Sequence, residues 1–138
     1  MKQLSTLLLL LLLGNILLGQ QAADAVFVSA DTIVNMELRR VPNAVDVSLV
    51  INNAVQYEYI MLEKSAEPYS GFKQCRYVEC NAVNKDGNLQ LTRRDMYPIS
   101  CRQNAYYRVK TISKDGFMRI YPAICLPPLL EKASAFGL

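Results

Sequence analysis

The stretch that decides the fold is AYYRVKTISKDGFMRIYP, residues 105–122. Both of its halves are rich in the aromatic and β-branched residues that are typical of strands. Between them stands Asp115-Gly116, and an Asp-Gly pair between two such runs favours a tight β-hairpin. The stretch therefore predicts two antiparallel strands. It leaves open whether the hairpin is the edge of a binding site or only the closure of a small β-domain.

The chain upstream of this hairpin reads as further short strands separated by turns. In residues 45–51, apolar side chains alternate with Asp46 and Ser48, which indicates a half-buried strand. The other predicted strands are 26–39 (one strand or a broken pair), 57–64, 72–80 and 89–93. Some seven short strands without a long amphipathic helix predict an all-β fold, a seven-stranded β-sandwich.

The amino terminus has the three parts of a secretory signal peptide. Lys2 gives a charged start, residues 7–18 are apolar except for Gly14 and Asn15, and small residues follow. The apolar run is shorter than the roughly 20 residues that a membrane span needs. We expect residues 1–25 to be a cleaved signal peptide, with candidate cuts after Gly19, Ala23 and Ala25.

The remainder of the chain has the size of a single domain. We expect this domain to cover residues 26–125 and a loose tail to cover residues 126–138, because Pro127 and Pro128 stop strand pairing. The mature protein would be secreted or periplasmic, with no membrane span. A formal net charge of +3 is too small to favour nucleic acid as a partner.

The residue inventory argues against an enzyme. The chain has no histidine, so a Ser-His-Asp or Cys-His arrangement cannot be built. It also lacks a P-loop and a GxGxxG motif, so we expect no catalytic residues and no cofactor. Carboxylate pairs such as Glu63 with Glu67 or Asp115 leave a glycosidase open in principle.

Four cysteines, Cys75, Cys80, Cys101 and Cys125, follow the signal peptide. Export favours disulfides, whereas a zinc site would need four thiolates without help from histidine and lacks paired CxxC spacing. We therefore expect no metal. Counting back from the Asp-Gly turn places Cys125 near Asn104, so a Cys101–Cys125 bridge is predicted. Cys75 and Cys80 could be joined only across a bend or bulge, since an extended strand holds them too far apart.

Several segments, in their order and spacing, resemble the fibronectin type III-like modules of secreted bacterial proteins. They are IMLEKS at 60–65, GF at 71–72, YP at 97–98, YYRVK at 106–110 and KDG at 114–116. The likeness covers about residues 45–124. It implies an immunoglobulin-like sandwich of seven strands that serves as a spacer or an interaction module and holds no cofactor.

The resemblance also implies that Ile60 and Leu62 point into the core. Strand alternation then buries Tyr107 and Val109 and turns the neighbouring side chains outward. The resulting predicted tyrosine face consists of Tyr57, Tyr59, Met61, Tyr106 and Arg108. Tyr, Met and Arg are enriched at protein interfaces, but the same residues could stack on sugars or simply pack across strands of a solvated sheet.

From these features we expect a secreted, non-catalytic module that binds another protein of the cell envelope or the extracellular matrix. The first alternative is a carbohydrate-binding module that uses the exposed tyrosines. The second is a small secreted inhibitor or enzyme, and an inhibitor would need a rigid exposed loop, for which residues 67–71 are the candidate.

Overall fold

The computed structural model describes residues 25–31, 33–78 and 83–129. The strands in these ranges are β1 (Ala25–Val28), β2 (Val34–Val41), β3 (Ala44–Ile51), β4 (Tyr57–Ser65), β5 (Lys73–Val78), β6 (Leu89–Asp95), β7 (Ala105–Ser113), β8 (Met118–Ile120) and β9 (Ile124–Leu126). One turn of 3₁₀ helix, Ala54–Gln56, precedes β4. Across these ranges, no helix has the length and apolar character that a membrane crossing requires. The predicted signal peptide lies outside the described residues except for Ala25, with which β1 begins.

The strands form two antiparallel sheets. Sheet A has the order β1-β2-β3-β6, and sheet B has the order β5-β4-β7-β8, with β9 also paired to β7. The predicted all-β class is confirmed, and two sheets are consistent with a β-sandwich. The predicted count of seven strands is wrong, because the described residues form nine. The segment 26–39 makes two paired strands, and residues 121–123 divide the last strand into β8 and β9.

A single hydrophobic core lies between the sheets. Alternating side chains supply it, so that every second residue is buried from Val34 to Leu38 in β2 and from Val45 to Ile51 in β3. Ile60, Leu62, Tyr107 and Val109 are all buried, which confirms the predicted inward positions. Leu126 is also part of this core, as the last residue of β9, although it was expected to begin the tail.

The Asp-Gly turn forms where it was predicted, but the strands it joins are shifted relative to the expected register. Gly116 has a φ of +86°, which glycine adopts at little cost, and its N–H bonds to Ser113 O at 2.9 Å. Ser113 N–H in turn bonds to Phe117 O at 2.9 Å, so three residues, 114–116, lie between the bonded pair. Together with the break at 121–123, the longer turn places Cys125 opposite Tyr106.

This register corrects the prediction for the cysteines. Leu129 N–H bonds to Cys101 O at 2.8 Å, which places Cys101 opposite Leu129 and not opposite Cys125. Cys75, Cys101 and Cys125 are free thiols, so the predicted Cys101–Cys125 bridge is not formed. Cys80 lies outside the described residues, but because Cys75 is a free thiol the predicted Cys75–Cys80 link is not formed either.

Candidate functional site

Only some residues of the predicted tyrosine face are exposed in the structure. Tyr59 is 46% exposed, and Tyr106 and Arg108 are half-buried on the outer face of sheet B. The prediction that Tyr57 faces outward is wrong, because Tyr57 is 7% exposed and belongs to the core. Met61, between the core residues Ile60 and Leu62, keeps the predicted outer side of the strand but is also only 7% exposed. A register shift between Tyr57 and Tyr59 interrupts the alternation and turns Tyr57 into the core. Met61 lies on a central strand, between β5 and β7, where neighbouring strands flank it.

Charged side chains order the outer face between β4 and β7. Arg108 Nε donates a hydrogen bond to Glu63 Oε2 at 2.7 Å, and Lys110 Nζ lies 3.9 Å from Glu63 Oε1. The Arg108 guanidinium also stacks 3.9 Å from the centre of the Phe72 ring, a cation–π contact. Arg108 is therefore held in one orientation by a carboxylate and an aromatic ring.

Beside Arg108 lies a groove of about 490 Å³ that we call the aromatic groove. The residues that define it are Pro68, Tyr69, Phe72, Tyr106, Arg108 and Pro122. Tyr69 is 94% exposed, so nearly all of its ring faces solvent at the rim. The groove combines two of the predicted face residues with aromatic and proline side chains from the loop 66–72 and from the β8–β9 connection.

Ser65 fixes the loop that carries Tyr69 and Phe72. Its buried hydroxyl donates to Ser70 O at 2.6 Å and accepts from Glu67 N–H at 2.9 Å. Gly71 has a φ of +69°, and a Cβ there would lie 3.3 Å from Ser65 Oγ, so glycine suits both the backbone and the space. The loop 67–71, which the sequence suggested as a rigid exposed segment, is thus held by Ser65 at the end of β4.

Tyr106 and Cys125 meet at the groove. They are directly opposite each other on β7 and β9. Desolvation and the neighbouring Cys125 raise the pKa of Tyr106, so its hydroxyl stays protonated at neutral pH and can donate a hydrogen bond.

A buried polar network that no sequence motif indicated joins the two sheets. Lys64 Nζ lies 2.6 Å from Asp95 Oδ2, and Tyr107 Oη donates to the same oxygen at 2.9 Å. Tyr97 N–H donates to Asp95 Oδ1 at 3.1 Å, and Lys64 Nζ also bonds to Tyr97 O. Burial, followed by the charge of Asp95, raises the pKa of Tyr107 far above its ordinary value. The sequence signal that could have revealed Asp95 is the alternation of side chains along β6. Asp95 lies an even number of residues after the buried Leu89 and therefore shares its inner face.

A second, smaller cavity of about 240 Å³ opens next to this network, and we call it the edge cleft. Val47, Leu62, Cys75, Arg76, Arg93 and Asp95 are among the residues that line it. Cys75 is the extra residue of a β-bulge, since its neighbours Gln74 and Arg76 pair with Glu63 and Leu62. Its thiol donates to Leu62 O at 3.2 Å.

Burial, helped by the charge of Asp95, raises the pKa of the Cys75 thiol to about 11. The thiolate is the reactive form of cysteine, so Cys75 is a poor nucleophile at neutral pH. We expect its alkylation rate in the folded, reduced protein to rise about tenfold per pH unit from pH 7 to pH 10. Iodoacetamide labelling with peptide-resolved mass spectrometry measures this rate. The control is the protein in urea, and a plateau near pH 9 in the folded protein would contradict the expectation.

Within the described ranges, no group of three or more His, Cys, Asp or Glu side chains converges as a metal ligand set would. The arrangement offers instead a preorganised aromatic groove on one side of sheet B and a cationic cleft at its edge. No protein-family model matches the chain, and comparison with curated proteins and with solved structures gives no match.

Proposed function

We propose that this protein is an exported, non-catalytic, fibronectin type III-like module that binds another protein of the envelope or matrix through the aromatic groove. The strand order supports the choice of module. If β8 and β9 are two halves of one strand and β1 is an addition, seven strands remain, in sheets of three (β2-β3-β6) and four (β5-β4-β7-β8/β9). Seven antiparallel strands divided three and four, with crossings between the sheets, are the plan of immunoglobulin-like sandwiches.

The observation that carries the binding proposal is the composition and exposure of the groove. Tyr69 stands 94% exposed beside Phe72, Tyr106 and Arg108. Tyrosine and arginine are the residues most enriched at the energetic centres of protein interfaces. A monomer gains nothing in stability from a ring that is almost wholly in water, so a partner that covers Tyr69 would bury apolar area that folding leaves exposed.

Preorganisation favours binding by the groove. Ser65 holds the loop that carries Tyr69, and Glu63 and Phe72 hold Arg108. Side chains that are ordered before binding lose less conformational entropy when a partner arrives. The groove can therefore act without a large rearrangement of the sheet.

The test is in-cell crosslinking of the tagged, exported protein, followed by mass spectrometry. We expect a discrete partner with the wild type, and recovery reduced at least about tenfold in a Tyr69→Ser/Tyr106→Ser variant, because truncation of an interface anchor typically costs 2 kcal/mol or more. Tyr97→Ser is the matched control, since Tyr97 is 87% exposed but lies at the edge cleft. Equal loss of the partner in the control, or an unchanged partner in the groove variant, would contradict the proposal.

The second candidate function is carbohydrate binding, which the open face of the Tyr69 ring favours. Aromatic rings stack on sugars, and the adjacent Arg108 and Glu63 could hydrogen-bond to hydroxyl groups. Affinity electrophoresis in polysaccharide gels separates the two candidates. Retardation of the wild type that disappears in Tyr69→Ser would favour the glycan, whereas unretarded migration together with a crosslinked partner would favour the protein.

A further inference from the structure

The edge cleft lies where the sandwich is open at one side. Strands β5 and β6 end sheets B and A respectively, and the cleft is lined by residues from both and from β3 and β4 behind them. Val47 and Leu62, which belong to the hydrophobic core, form its apolar floor. Val47 and Leu62 are 2% and 5% exposed, so a small part of these core side chains reaches the cleft, beside the exposed Met96 and Tyr97 that also line it.

Arginine side chains surround that apolar floor. Arg94 forms a bidentate ion pair with Asp46. Its Nε donates to Oδ1 at 2.7 Å, and its Nη2 donates to Oδ2 at 3.0 Å. Among the described residues, Arg93 bonds to the carbonyl oxygen of its neighbour Thr92, at 3.1 Å, and to no carboxylate, and Arg76 makes no ion pair. Two guanidinium groups at the cleft therefore have no carboxylate partner among the residues that the structure describes.

The acidic groups of the cleft do not offset these charges. Asp95 is the one carboxylate among the described lining residues, and Lys64, Tyr107 and Tyr97 N–H already donate to it. Cys75 is protonated at neutral pH, because burial raises the pKa of its thiol to about 11. The cleft thus combines an apolar floor with a surplus of positive charge.

We propose that the edge cleft binds a small amphipathic organic anion, whose carboxylate pairs with Arg76 and Arg93 and whose apolar part rests on Val47 and Leu62. Arginine is suited to this role because its fork of donors matches a carboxylate. The volume of about 240 Å³ is below the roughly 300 Å³ at which drug-sized sites begin, so the ligand is a short acyl or aryl carboxylate. The proposal is independent of the aromatic groove.

The test is a titration of the ¹⁵N-labelled protein with sodium octanoate, followed by NMR. Amide shifts are expected at Val47, Cys75 and Asp95. Octanol, which has the chain without the charge, and inorganic phosphate, which has charge without the chain, are expected to bind at least about tenfold more weakly. Equal affinity for octanol and octanoate, no octanoate binding, or shifts confined to the aromatic groove would overturn the proposal.

A pair of double variants separates a specific site from general electrostatics. Arg76→Gln/Arg93→Gln is expected to weaken octanoate binding about tenfold or more. Lys85→Gln/Lys114→Gln removes the same charge from two exposed turns and is expected to leave binding unchanged. Equal weakening in both double variants would overturn the proposal, and the dispersion of each NMR spectrum shows that the variants are folded.

Discussion

Replacement of Asp95 by alanine is expected to lower the free energy of unfolding by about 3 to 5 kcal/mol, the range for removing one partner of a buried ion pair. The Lys64 and Asp95 side chains are only 17% and 10% exposed. Without the carboxylate, the Lys64 ammonium and the Tyr107 hydroxyl lose the acceptor that joins the two sheets. Urea-induced unfolding followed by circular dichroism measures the change.

Asp46→Ala is the matched control for this prediction. The Asp46 side chain is 14% exposed, close to that of Asp95, but its partners on the neighbouring strands, Arg94 and Arg39, are 56% and 44% exposed, whereas Lys64 is 17% exposed. Solvent-exposed pairs contribute about 1 kcal/mol or less, so the control is expected to change stability little. Losses of equal size in the two variants would contradict the view that burial sets the importance of the Asp95 network.

The Asp46 pair also has an expected pH dependence. The Arg94 guanidinium holds the pKa of the Asp46 carboxyl below its usual value. A depressed pKa in the folded state gives a contribution that is present above the unfolded pKa and lost as the pH falls through the folded pKa. Asp46→Ala is therefore expected to lose this small contribution at neutral pH and to flatten the stability profile below about pH 4, where the wild type also loses it, so that the two proteins converge in stability at low pH.

Leu49→Ala is the second substitution with a large expected effect, a loss of about 2 to 5 kcal/mol. Leu49 is 1% exposed in the middle of β3 and belongs to the core between the sheets. Its removal costs transfer free energy and leaves a cavity that two hydrogen-bonded sheets cannot easily close. The same urea titration measures it.

Leu129→Ala is the control with the same change in side chain. Leu129 is 54% exposed, and the hydrogen bond that it makes to Cys101 O comes from its backbone N–H, which truncation of the side chain leaves in place. Its truncation is expected to stay within about 0.5 kcal/mol of wild type. A loss near 2 kcal/mol at Leu129, or a negligible loss at Leu49, would mean that the core is not where the structure places it.

The sequence predicted the positions of individual strands and turns better than it predicted the number of strands. Alternation in β3 and the Asp-Gly turn before β8 depend on residues that are adjacent in the chain, and both are confirmed. The split of 26–39 into β1 and β2 was one of two alternatives that the sequence left open, and the break at 121–123 contains Pro122, which cannot donate to a strand ladder, but the return of the chain to β7 as β9 was not predicted. A single register shift at the start of β4 was enough to turn Tyr57 from the predicted outer face into the core.

The candidate site was predicted only in part, for a related reason. Tyr106 and Arg108 could be placed by counting along one strand. Tyr69 and Phe72 join them because Ser65 closes a loop back onto the sheet. The edge cleft depends on residues from four strands, and no local pattern could show that Arg76 and Arg93 line the same cavity.

The sequence by itself determined the all-β class, the inward positions of Ile60, Leu62, Tyr107 and Val109, and the location of the turn at Asp115-Gly116. The class and the turn follow from side-chain alternation and turn chemistry, which act between neighbouring residues. The inward positions follow from alternation once the resemblance to fibronectin type III-like modules places Ile60 and Leu62 in the core. Only the tertiary structure decided the strand order, the separation of Cys101 from Cys125, and the pairing of Lys64 with Asp95. Those features depend on bulges, register and sheet packing, which bring together residues that are far apart in the chain.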